Sequence, residues 1–303
     1  MAQSLIKQLK PKEISQPISK SISPLSTKSS INLTPETQLQ SLRQWLHPLG
    51  QVVVAYSGGV DSTLVLKAAL YTLGRENVIA LLAVSPSLSQ SEKQEAIALA
   101  QNLGARLEQL PTTETDDPQY QANAPNRCYF CKDNVYRALR HFAAQNGIPH
   151  VLDGMNADDT LDLRPGRAAA RELQILSPLH ELGFTKKNVR EAAQALELPN
   201  WDKPAAACLA SRVPYGTAVT PKLLSTIEQA EAALYHLGFR ELRVRHHGDV
   251  ARIEVPEAEL SHALEERIAI TTALKALGYV YITLDLVGLR SGSMNEVLTA
   301  RSA

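Results

Sequence analysis

Short apolar runs alternate with amphipathic stretches along the middle of the chain. The apolar runs are typical of strands and lie at about 51–56, 78–84, 106–110, 149–153 and 174–177. Apolar positions recur with helical spacing at about 61–74, 89–103, 132–146 and 185–196. An earlier helix is predicted to run to about Leu46, because Thr34 can cap it and Pro35 suits its first turn. This alternation predicts a parallel sheet with helices on both faces.

The pattern changes after about residue 205. A helix near 220–237 precedes the strand-like stretch LRVRHHGDVARIEV, and a helix near 256–276 precedes YVYITLDL. We therefore predict an α/β fold in which a parallel-sheet domain at 34–205 is followed by a smaller C-terminal α+β domain at 206–303. The second domain is expected to serve substrate binding or oligomerisation.

Residues 1–33 differ from the rest of the chain in composition. They are rich in Ser, Lys, Pro and Gln, and Glu13 is their only acid. This composition predicts a disordered tail, because such a segment buries too little apolar surface to fold. An organelle transit peptide is the alternative, and the absence of arginine before Arg43 counts against it.

Bulk composition narrows the class of protein. A chain of 303 residues with 44% apolar content can bury a core and is long enough for two domains. The 31 Lys and Arg balance the 31 Asp and Glu, so no overall charge favours nucleic acid or an anionic membrane. No apolar run approaches the roughly 20 residues of a membrane span. Three cysteines are too few for a disulfide scaffold, which favours a reducing cytoplasm.

The stretch Ser57-Gly58-Gly59-Val60-Asp61-Ser62 lies between the first strand and the next helix of the predicted sheet. Glycine lets an anion approach the backbone N–H groups, the helix dipole favours negative charge there, and Ser57 and Ser62 add hydroxyl donors. The Gly-Lys-Ser/Thr element of a Walker A loop is missing. Asp61 would repel a bare phosphate and becomes useful where Mg²⁺ bridges it to a nucleotide. The alternative is an ordinary strand-to-helix turn.

This string resembles the SGGxDS loop of the PP-loop ATP pyrophosphatases, which share an adenine nucleotide α-hydrolase-like fold. Members cleave ATP between the α- and β-phosphates, adenylate a carbonyl or carboxylate oxygen, and let a nucleophile displace AMP. NAD synthetases, GMP synthetases and tRNA thiolases are among them, and the loop alone does not discriminate. The resemblance implies that Ser57, Gly58, Gly59, Asp61 and Ser62 bind ATP, with Asp61 also holding Mg²⁺ and acting in catalysis.

Three further stretches together resemble the LarE family, namely NRCYFCKDNVY (126–136), DGMNADDTLDLRPGRAAA (153–170) and WDKPAAACLASRVPYG (201–216). LarE enzymes are ATP-dependent sulfur transferases in the synthesis of the nickel-pincer nucleotide cofactor. The resemblance covers about residues 40–290. It implies a substrate, pyridinium-3,5-biscarboxylic acid mononucleotide, whose carboxylates become thiocarboxylates. It also implies a hexamer built partly through the C-terminal domain.

A second acidic position is predicted at the same edge of the sheet. Asn156-Ala157-Asp158-Asp159 follows the strand that ends at Asp153-Gly154, so Asp158 can hold Mg²⁺ on the triphosphate. An Asx-type turn and helix cap is the alternative. Arg164 and Arg167 have a Pro-Gly setting that predicts an ordered loop near phosphate, with surface charges as the alternative.

Cys128-x-x-Cys131 brings two thiols together on one turn, just before a predicted helix. The alternatives are a redox dithiol, half of a zinc site completed by a histidine, and a 4Fe-4S cluster with Cys208 as third ligand and one iron open. In the LarE family, members with only the cysteine matching Cys208 give up its sulfur and end as dehydroalanine. Three-cysteine members instead hold the transferable sulfide on the open iron. The sequence favours the cluster-dependent enzyme, with Cys208 catalytic and sacrificial transfer as the alternative.

Arginines are the predicted ligands of the substrate phosphate. Arg243 and Arg245 share one face of a predicted strand, and Arg212 lies four residues after Cys208. Arginine suits bidentate phosphate binding, and a solvated edge strand is the alternative. Glu231 is carried over from the family without a role evident from the sequence.

Two other functions remain open. The stretch DKPAAACLASR also resembles the Lys-Pro segment of NAD synthetases, whose amide-forming chemistry does not need three cysteines. A non-enzymatic nucleotide or cluster sensor on a PP-loop scaffold is the other alternative. It is disfavoured because every loop residue with a chemical role is present.

Overall fold

A four-stranded parallel sheet forms the N-terminal half of the molecule. The structure is a computed structural model that describes residues 34–160, 166–204, 207–290 and 292–296. The strands are β1 Val52–Tyr56, β2 Val78–Val84, β3 Arg106–Pro111 and β4 His150–Leu152, in the order β3-β2-β1-β4. All three pairings are parallel. The strand predicted at 174–177 contributes only a single bridge, between Leu152 and Leu176.

Helices cover both faces of this sheet. The helices of the chain are α1 Pro35–Leu46, α2 Val60–Leu73, α3 Gln90–Asn102, α4 Pro118–Gln121, α5 Arg127–Gln145, α6 Gly166–Glu172, α7 Pro178–Glu181, α8 Lys186–Ala195, α9 Pro221–His236, α10 Leu260–Glu265 and α11 Arg267–Ala276. Because successive strand residues point to opposite faces, Val52 and Val54 pack with α1, α2 and α8, whereas Val53 packs with α5.

A smaller sheet forms the C-terminal half. Its strands are β5 Arg243–His247, β6 Val250–Glu254 and β7 Tyr281–Leu284, with β5 antiparallel and β7 parallel to β6. Leu234 of α9 and Ile270 of α11 pack against Val244 and Ile253 of this sheet. The predicted fold, a parallel α/β sheet followed by an α+β unit, is confirmed.

Two predicted helices differ from those observed. The helix predicted at 256–276 is divided into α10 and α11 at Glu266, whose backbone angles are φ −83° and ψ 9°. The helix predicted from 132 begins at Arg127. Asn126 is a residue type that favours the N-cap position, although its side chain makes no cap bond there.

Domain boundaries stay a prediction, because 1–33 lies outside the described residues and the described chain falls within one compact unit. Arg164 and the side chain of Arg167 also lie outside what the structure describes. Along the described parts of the chain, none of the helices combines the length and apolar character that a membrane crossing requires.

Candidate active site

Two serines of the loop after β1 hydrogen-bond to each other across the loop. Ser57 Oγ and Ser62 Oγ lie 3.1 Å apart, and the Ser57 N–H donates to Ser62 Oγ over 3.2 Å. The N-cap of α2 is Gly59, which has no side chain to satisfy the first N–H groups of the helix. Those donors therefore point toward the loop at the positive end of the helix dipole, an arrangement that suits an anion.

Two glycines set the backbone geometry of this loop. Gly58 has φ +74°, and a Cβ built there would lie 2.7 Å from Ala96 Cβ. Gly154, which follows β4, approaches so closely that a Cβ would lie 2.7 Å from the Ser62 backbone nitrogen. β1 and β4 are neighbours, so their carboxyl ends meet at one edge of the sheet. A side chain at either glycine would therefore collide with the loop after β1 or with the helix packed against it.

Asp61 lies between an amide and an ammonium. Asn156 Nδ2 donates to Asp61 Oδ1 over 2.9 Å, and Lys186 Nζ forms a salt bridge with Asp61 Oδ2. The backbone N–H of Lys186 donates to Asp158 Oδ2 over 2.7 Å. The two predicted Mg²⁺ ligands are therefore brought together around one lysine. An ammonium already rests against Asp61, so the surroundings of this carboxylate accept a cation.

Sequence reasoning missed Lys186, although a weak signal exists. Lys186 is the first residue of α8, and a cation in the first turn opposes the helix dipole. Its Thr185 cap forms a complete capping box with Asn188, so the helix begins there for reasons of its own. A lysine at such a position needs an anionic partner, and Asp61 supplies it.

Asn200 is a second residue that sequence reasoning missed. Its Nδ2 donates to the Gly58 carbonyl over 3.0 Å and to Thr63 Oγ1 over 3.1 Å. The side chain is buried. It therefore fixes the loop from behind, and no local pattern around residue 200 indicates this contact.

The three cysteines share one neighbourhood. Cys128 and Cys131 lie in the first turns of α5, not ahead of the helix as predicted, and Cys208 immediately precedes a short 3-10 helix. All three thiols are free, and Cys131 packs against a cluster that includes Leu209. Burial raises the pKa of the Cys131 thiol, and negative charge at Cys208, Glu114 and Cys128 raises it further. The thiols are thus within electrostatic reach of one another.

The three thiols have the chemistry of a metal centre but are not arranged as one. Within the described residues, no group of three or more His, Cys, Asp or Glu is arranged to hold a metal ion. Three neighbouring thiols nevertheless match the chemistry of iron–sulfur ligation. The three cysteines therefore suit an iron–sulfur cluster in residue type and in lying near one another. Their side chains are not arranged in the geometry that a metal centre requires.

The predicted arginines fall into two kinds. Arg212 is buried, pairs with both oxygens of Glu231 at 2.9 and 3.2 Å, and donates to the Cys208 carbonyl over 3.2 Å. Arg245 is buried, and it donates to Glu254 over 2.8 Å and to the Ser211 carbonyl over 3.0 Å. Both guanidiniums are already paired with a buried acid.

Arg243 is the third predicted phosphate ligand and differs from the other two. It is half-buried and donates to the Arg290 carbonyl over 3.2 Å. Burial lowers its pKa, and the charges of Arg245 and Arg212 lower it further. The three arginines are therefore close enough to interact, and among the described residues Arg243 forms no salt bridge.

The first half of the chain is similar to a known protein family. The sequence profile of the NAD synthase family matches residues 36–147, which contain the loop after β1. A solved structure of the NMN synthetase from Francisella tularensis is a looser match, with TM-score 0.46 and 22% identity over 57% of this chain and 76% of that chain. The parallel sheet, its SGGVDS loop and the profile match define a PP-loop protein of the ATP-using class.

Two relatives extend over nearly the whole chain. The pyridinium-3,5-bisthiocarboxylic acid mononucleotide synthase of Lactiplantibacillus plantarum is 43% identical over 263 residues, 87% of this chain and 95% of that protein. An uncharacterized protein of Synechocystis sp. is 44% identical over 266 residues, 87% of this chain and 99% of that protein. The chain therefore belongs to the LarE family, as the sequence motifs indicate.

Proposed function

We propose that the protein is an ATP-dependent sulfurtransferase. Its substrate would be pyridinium-3,5-biscarboxylic acid mononucleotide, and its product the corresponding thiocarboxylate. The observation that carries this proposal is the 43% identity, over 87% of this chain, to a protein named as the synthase of the bisthiocarboxylic acid mononucleotide. The loop after β1 and the neighbouring thiols supply the two kinds of group that the chemistry needs.

The first step is adenylation. A carboxylate oxygen of the substrate attacks the α-phosphorus of ATP, an acyl–adenylate bond forms, and pyrophosphate leaves. The N–H groups at the start of α2, together with Ser57 and Ser62, hold phosphate oxygens. Mg²⁺ held by Asp61 and Asp158 would neutralise the charge on the triphosphate. Once Mg²⁺ replaces the Lys186 ammonium at the Asp61 carboxylate, Lys186 would supply positive charge beside the same phosphates.

The second step delivers sulfur. A sulfur nucleophile attacks the activated carbonyl carbon, the bond to the adenylate oxygen breaks, AMP leaves and the thiocarboxylate remains. A cluster held by Cys128, Cys131 and Cys208 would supply sulfide at its open iron. The alternative uses Cys208 itself: its sulfur forms a thioester, and elimination across Cα–Cβ then breaks the Cβ–S bond and leaves dehydroalanine.

Substrate phosphate is assigned to the arginine cluster, with unequal roles. Arg243 has no acidic partner among the described residues and would contact the phosphate directly. Arg212 and Arg245 hold acids and carbonyls of the surrounding backbone and would contribute mainly positive potential. Arg243→Ala should therefore weaken mononucleotide binding by about 1.5–3 kcal/mol in calorimetry and leave ATP affinity nearly unchanged. Normal substrate binding by this variant would contradict the assignment.

The family resemblance implies an oligomer, and the low cysteine count favours a reducing cytoplasm. We expect a cytoplasmic homo-oligomer, in the form of a hexamer. Exposed apolar side chains of the C-terminal half support a protein contact there, among them Ile268, Tyr281 and Leu286. Light scattering coupled to size exclusion measures the mass of the particle, and a monomer at micromolar concentration would contradict the hexamer.

Substrate-dependent pyrophosphate release tests the proposed function. Wild-type protein, ATP and Mg²⁺ should release pyrophosphate and AMP only when the biscarboxylic mononucleotide is added. The matched control replaces that substrate with deamido-NAD and ammonia, because the NAD synthase profile makes an amide-forming ligase the specific rival. Pyrophosphate release with deamido-NAD and ammonia, but not with the mononucleotide, would favour the ligase. No pyrophosphate release with either substrate would favour a binding protein.

Single cysteine variants separate the two sulfur sources. With a cluster, Cys128→Ala, Cys131→Ala and Cys208→Ala should each lose iron, colour and sulfur transfer together. With sacrificial transfer, only Cys208→Ala should be inactive, and wild-type protein should lose about 34 Da as H₂S in intact-mass spectrometry. Dehydroalanine at position 208 together with an active Cys128→Ala variant would overturn the cluster and keep the family function.

A further inference from the structure

Arg127 joins the helix of two cysteines to the segment of the third. It is the first residue of α5 and is 6% exposed. Its Nη1 donates to the side-chain oxygen of Asn123 and, over 2.9 Å, to the Ala210 carbonyl. Ala210 lies two residues after Cys208, so one guanidinium connects Cys128 and Cys131 to the backbone that carries Cys208.

Asn123 extends this connection along the same segment. It is fully buried and has φ +52°, a left-handed conformation that a non-glycine residue adopts only with local support. Its amide donates to the carbonyls of Val213, Pro214 and Thr217 at 3.3, 2.8 and 3.0 Å. The Asn123 carbonyl in turn accepts from the Gly216 N–H over 3.1 Å. These bonds bind residues 210–217 to the start of α5 at several points.

The charge of Arg127 is not balanced by an acid. Across the described residues it forms no salt bridge, although it is almost completely buried. A buried charge is costly unless it is paired. The Arg127 charge acts on Cys131 and on Tyr215 in the direction that favours their ionised forms. The guanidinium is held instead by the Asn123 side chain and the Ala210 carbonyl, which tie it to the segment that carries Cys208.

We propose that Arg127 is a positioning residue for sulfur transfer. With Asn123 it holds the Cys208 segment against the helix that carries Cys128 and Cys131. The proposal rests on the proposed function for its role in turnover. The predicted effect on the thiols themselves does not depend on turnover.

Cobalt binding without oxygen measures this effect directly. Co²⁺ alone is titrated into reduced protein, and thiolate-to-cobalt absorption reports binding by the cysteines. Loss of a partner outside the ligand set typically weakens metal binding about 10- to 100-fold, and we expect Arg127→Met to fall in this range. Arg127→Lys keeps the cation and should bind markedly more tightly than Arg127→Met. Arg140→Met is the matched control, because Arg140 also lies on α5 and donates to a backbone carbonyl, that of Pro149.

If Arg127 served only to keep the protein folded, its loss would lower stability without changing the Co²⁺ affinity of the folded protein. Thermal unfolding is measured on the same variants and should be close to wild type in Arg127→Lys. Unchanged Co²⁺ affinity in folded Arg127→Met overturns the proposal, as does Arg127→Lys binding no better than Arg127→Met. Should Arg127→Met fail to fold, Arg127→Gln replaces it, with the same expected weakening.

Co²⁺ binding and pyrophosphate release by the wild-type protein test the thiol site and the enzymatic activity separately. Wild-type protein that shows no thiolate–cobalt absorption overturns the shared thiol site and the positioning role of Arg127, whatever its AMP formation. Wild-type protein that binds Co²⁺ through its thiols but releases no pyrophosphate with the mononucleotide contradicts the proposed function alone.

Discussion

Two charged networks of this protein differ in burial although both contain a salt bridge. At the edge of the parallel sheet, the Lys186 and Asp61 side chains are 34% and 19% exposed. In the C-terminal sheet, Arg245 and Glu254 are 2% and 0% exposed, and Ser293 completes the network with bonds of 2.8 and 2.9 Å. The first pair is open to solvent and to a competing cation. The second is closed.

This difference separates binding groups from supporting groups. A partly exposed carboxylate can exchange its ammonium partner for a metal ion at small cost, because an exposed ion pair contributes at most about 1 kcal/mol. A fully buried pair cannot lose one member without leaving an uncompensated charge. We therefore expect the edge of the parallel sheet to control catalysis, and the Arg245–Glu254 network to control folding.

The largest effect is expected from the closed network. Glu254→Gln leaves Arg245 buried without its counter-charge and should lower the free energy of unfolding by about 3–5 kcal/mol. Denaturant unfolding measures the loss. The control is Glu108→Gln, since the Arg106–Glu108 pair is 59% and 43% exposed and should contribute less than about 1 kcal/mol. Equal losses in the two variants would remove the distinction between the networks.

Asp61→Asn should affect rate instead of stability. Loss of the carboxylate removes charge stabilisation during adenylation, which is commonly worth about 3–4 kcal/mol, or roughly 10²- to 10³-fold in rate. AMP formation with saturating substrate and Mg²⁺ measures it. Asp133→Asn is the control, because within the described parts of the chain the Asp133 carboxylate forms a salt bridge only with the exposed Arg137. Wild-type AMP formation by Asp61→Asn would assign the cation site to another residue.

Gly58→Ala tests the backbone of the loop. The new Cβ meets Ala96 and the residue must keep φ +74°, so we expect a loss of about 1–3 kcal/mol in the free energy of unfolding. A double-mutant cycle with Ala96→Gly isolates the steric part, and the two changes should couple favourably. Additive losses would mean that conformational strain alone accounts for the effect.

Lys186→Met should be the mildest change in stability. Its pair with Asp61 is partly exposed, so the free energy of unfolding should fall by less than about 1 kcal/mol. The same denaturant titration compares it with Glu254→Gln. A loss as large as that of Glu254→Gln would mean that the sheet edge is as closed as the C-terminal network.

The sequence predicted what depends on neighbours along the chain. The turn from β1 into α2, with its glycines and Asp61, is encoded within a few residues, and strand–helix alternation places Asp158 at the same sheet edge. The sequence did not predict the roles of Lys186 and Asn200, because each contacts a loop more than 100 positions away along the chain. The period-two spacing predicted that Arg243 and Arg245 lie on one face of a strand. It did not predict the burial of Arg245, which is paired with Glu254 and Ser293.

The cysteines show the same limit in another form. The spacing of Cys128 and Cys131 predicted two neighbouring thiols, the family resemblance implied Cys208 as the third, and the structure brings the three residues into one neighbourhood. What holds them there is Arg127 and Asn123, whose bonds reach the backbone of residues 210–217. Backbone acceptors leave no mark in residue identity, so no sequence pattern could reveal this contact.

The close approach of Gly154 to Ser62 limits how this protein can evolve. Because the wall of the loop is backbone on both sides, at Gly58 and at Gly154, no side chain is available there for gradual change. Any substitution at these two positions is abrupt, whereas the half-buried Arg243 and the exposed Cys208 can be exchanged without disturbing the core. Selection for a new acceptor would therefore act on the arginines of the C-terminal half, while the loop after β1 stays unchanged.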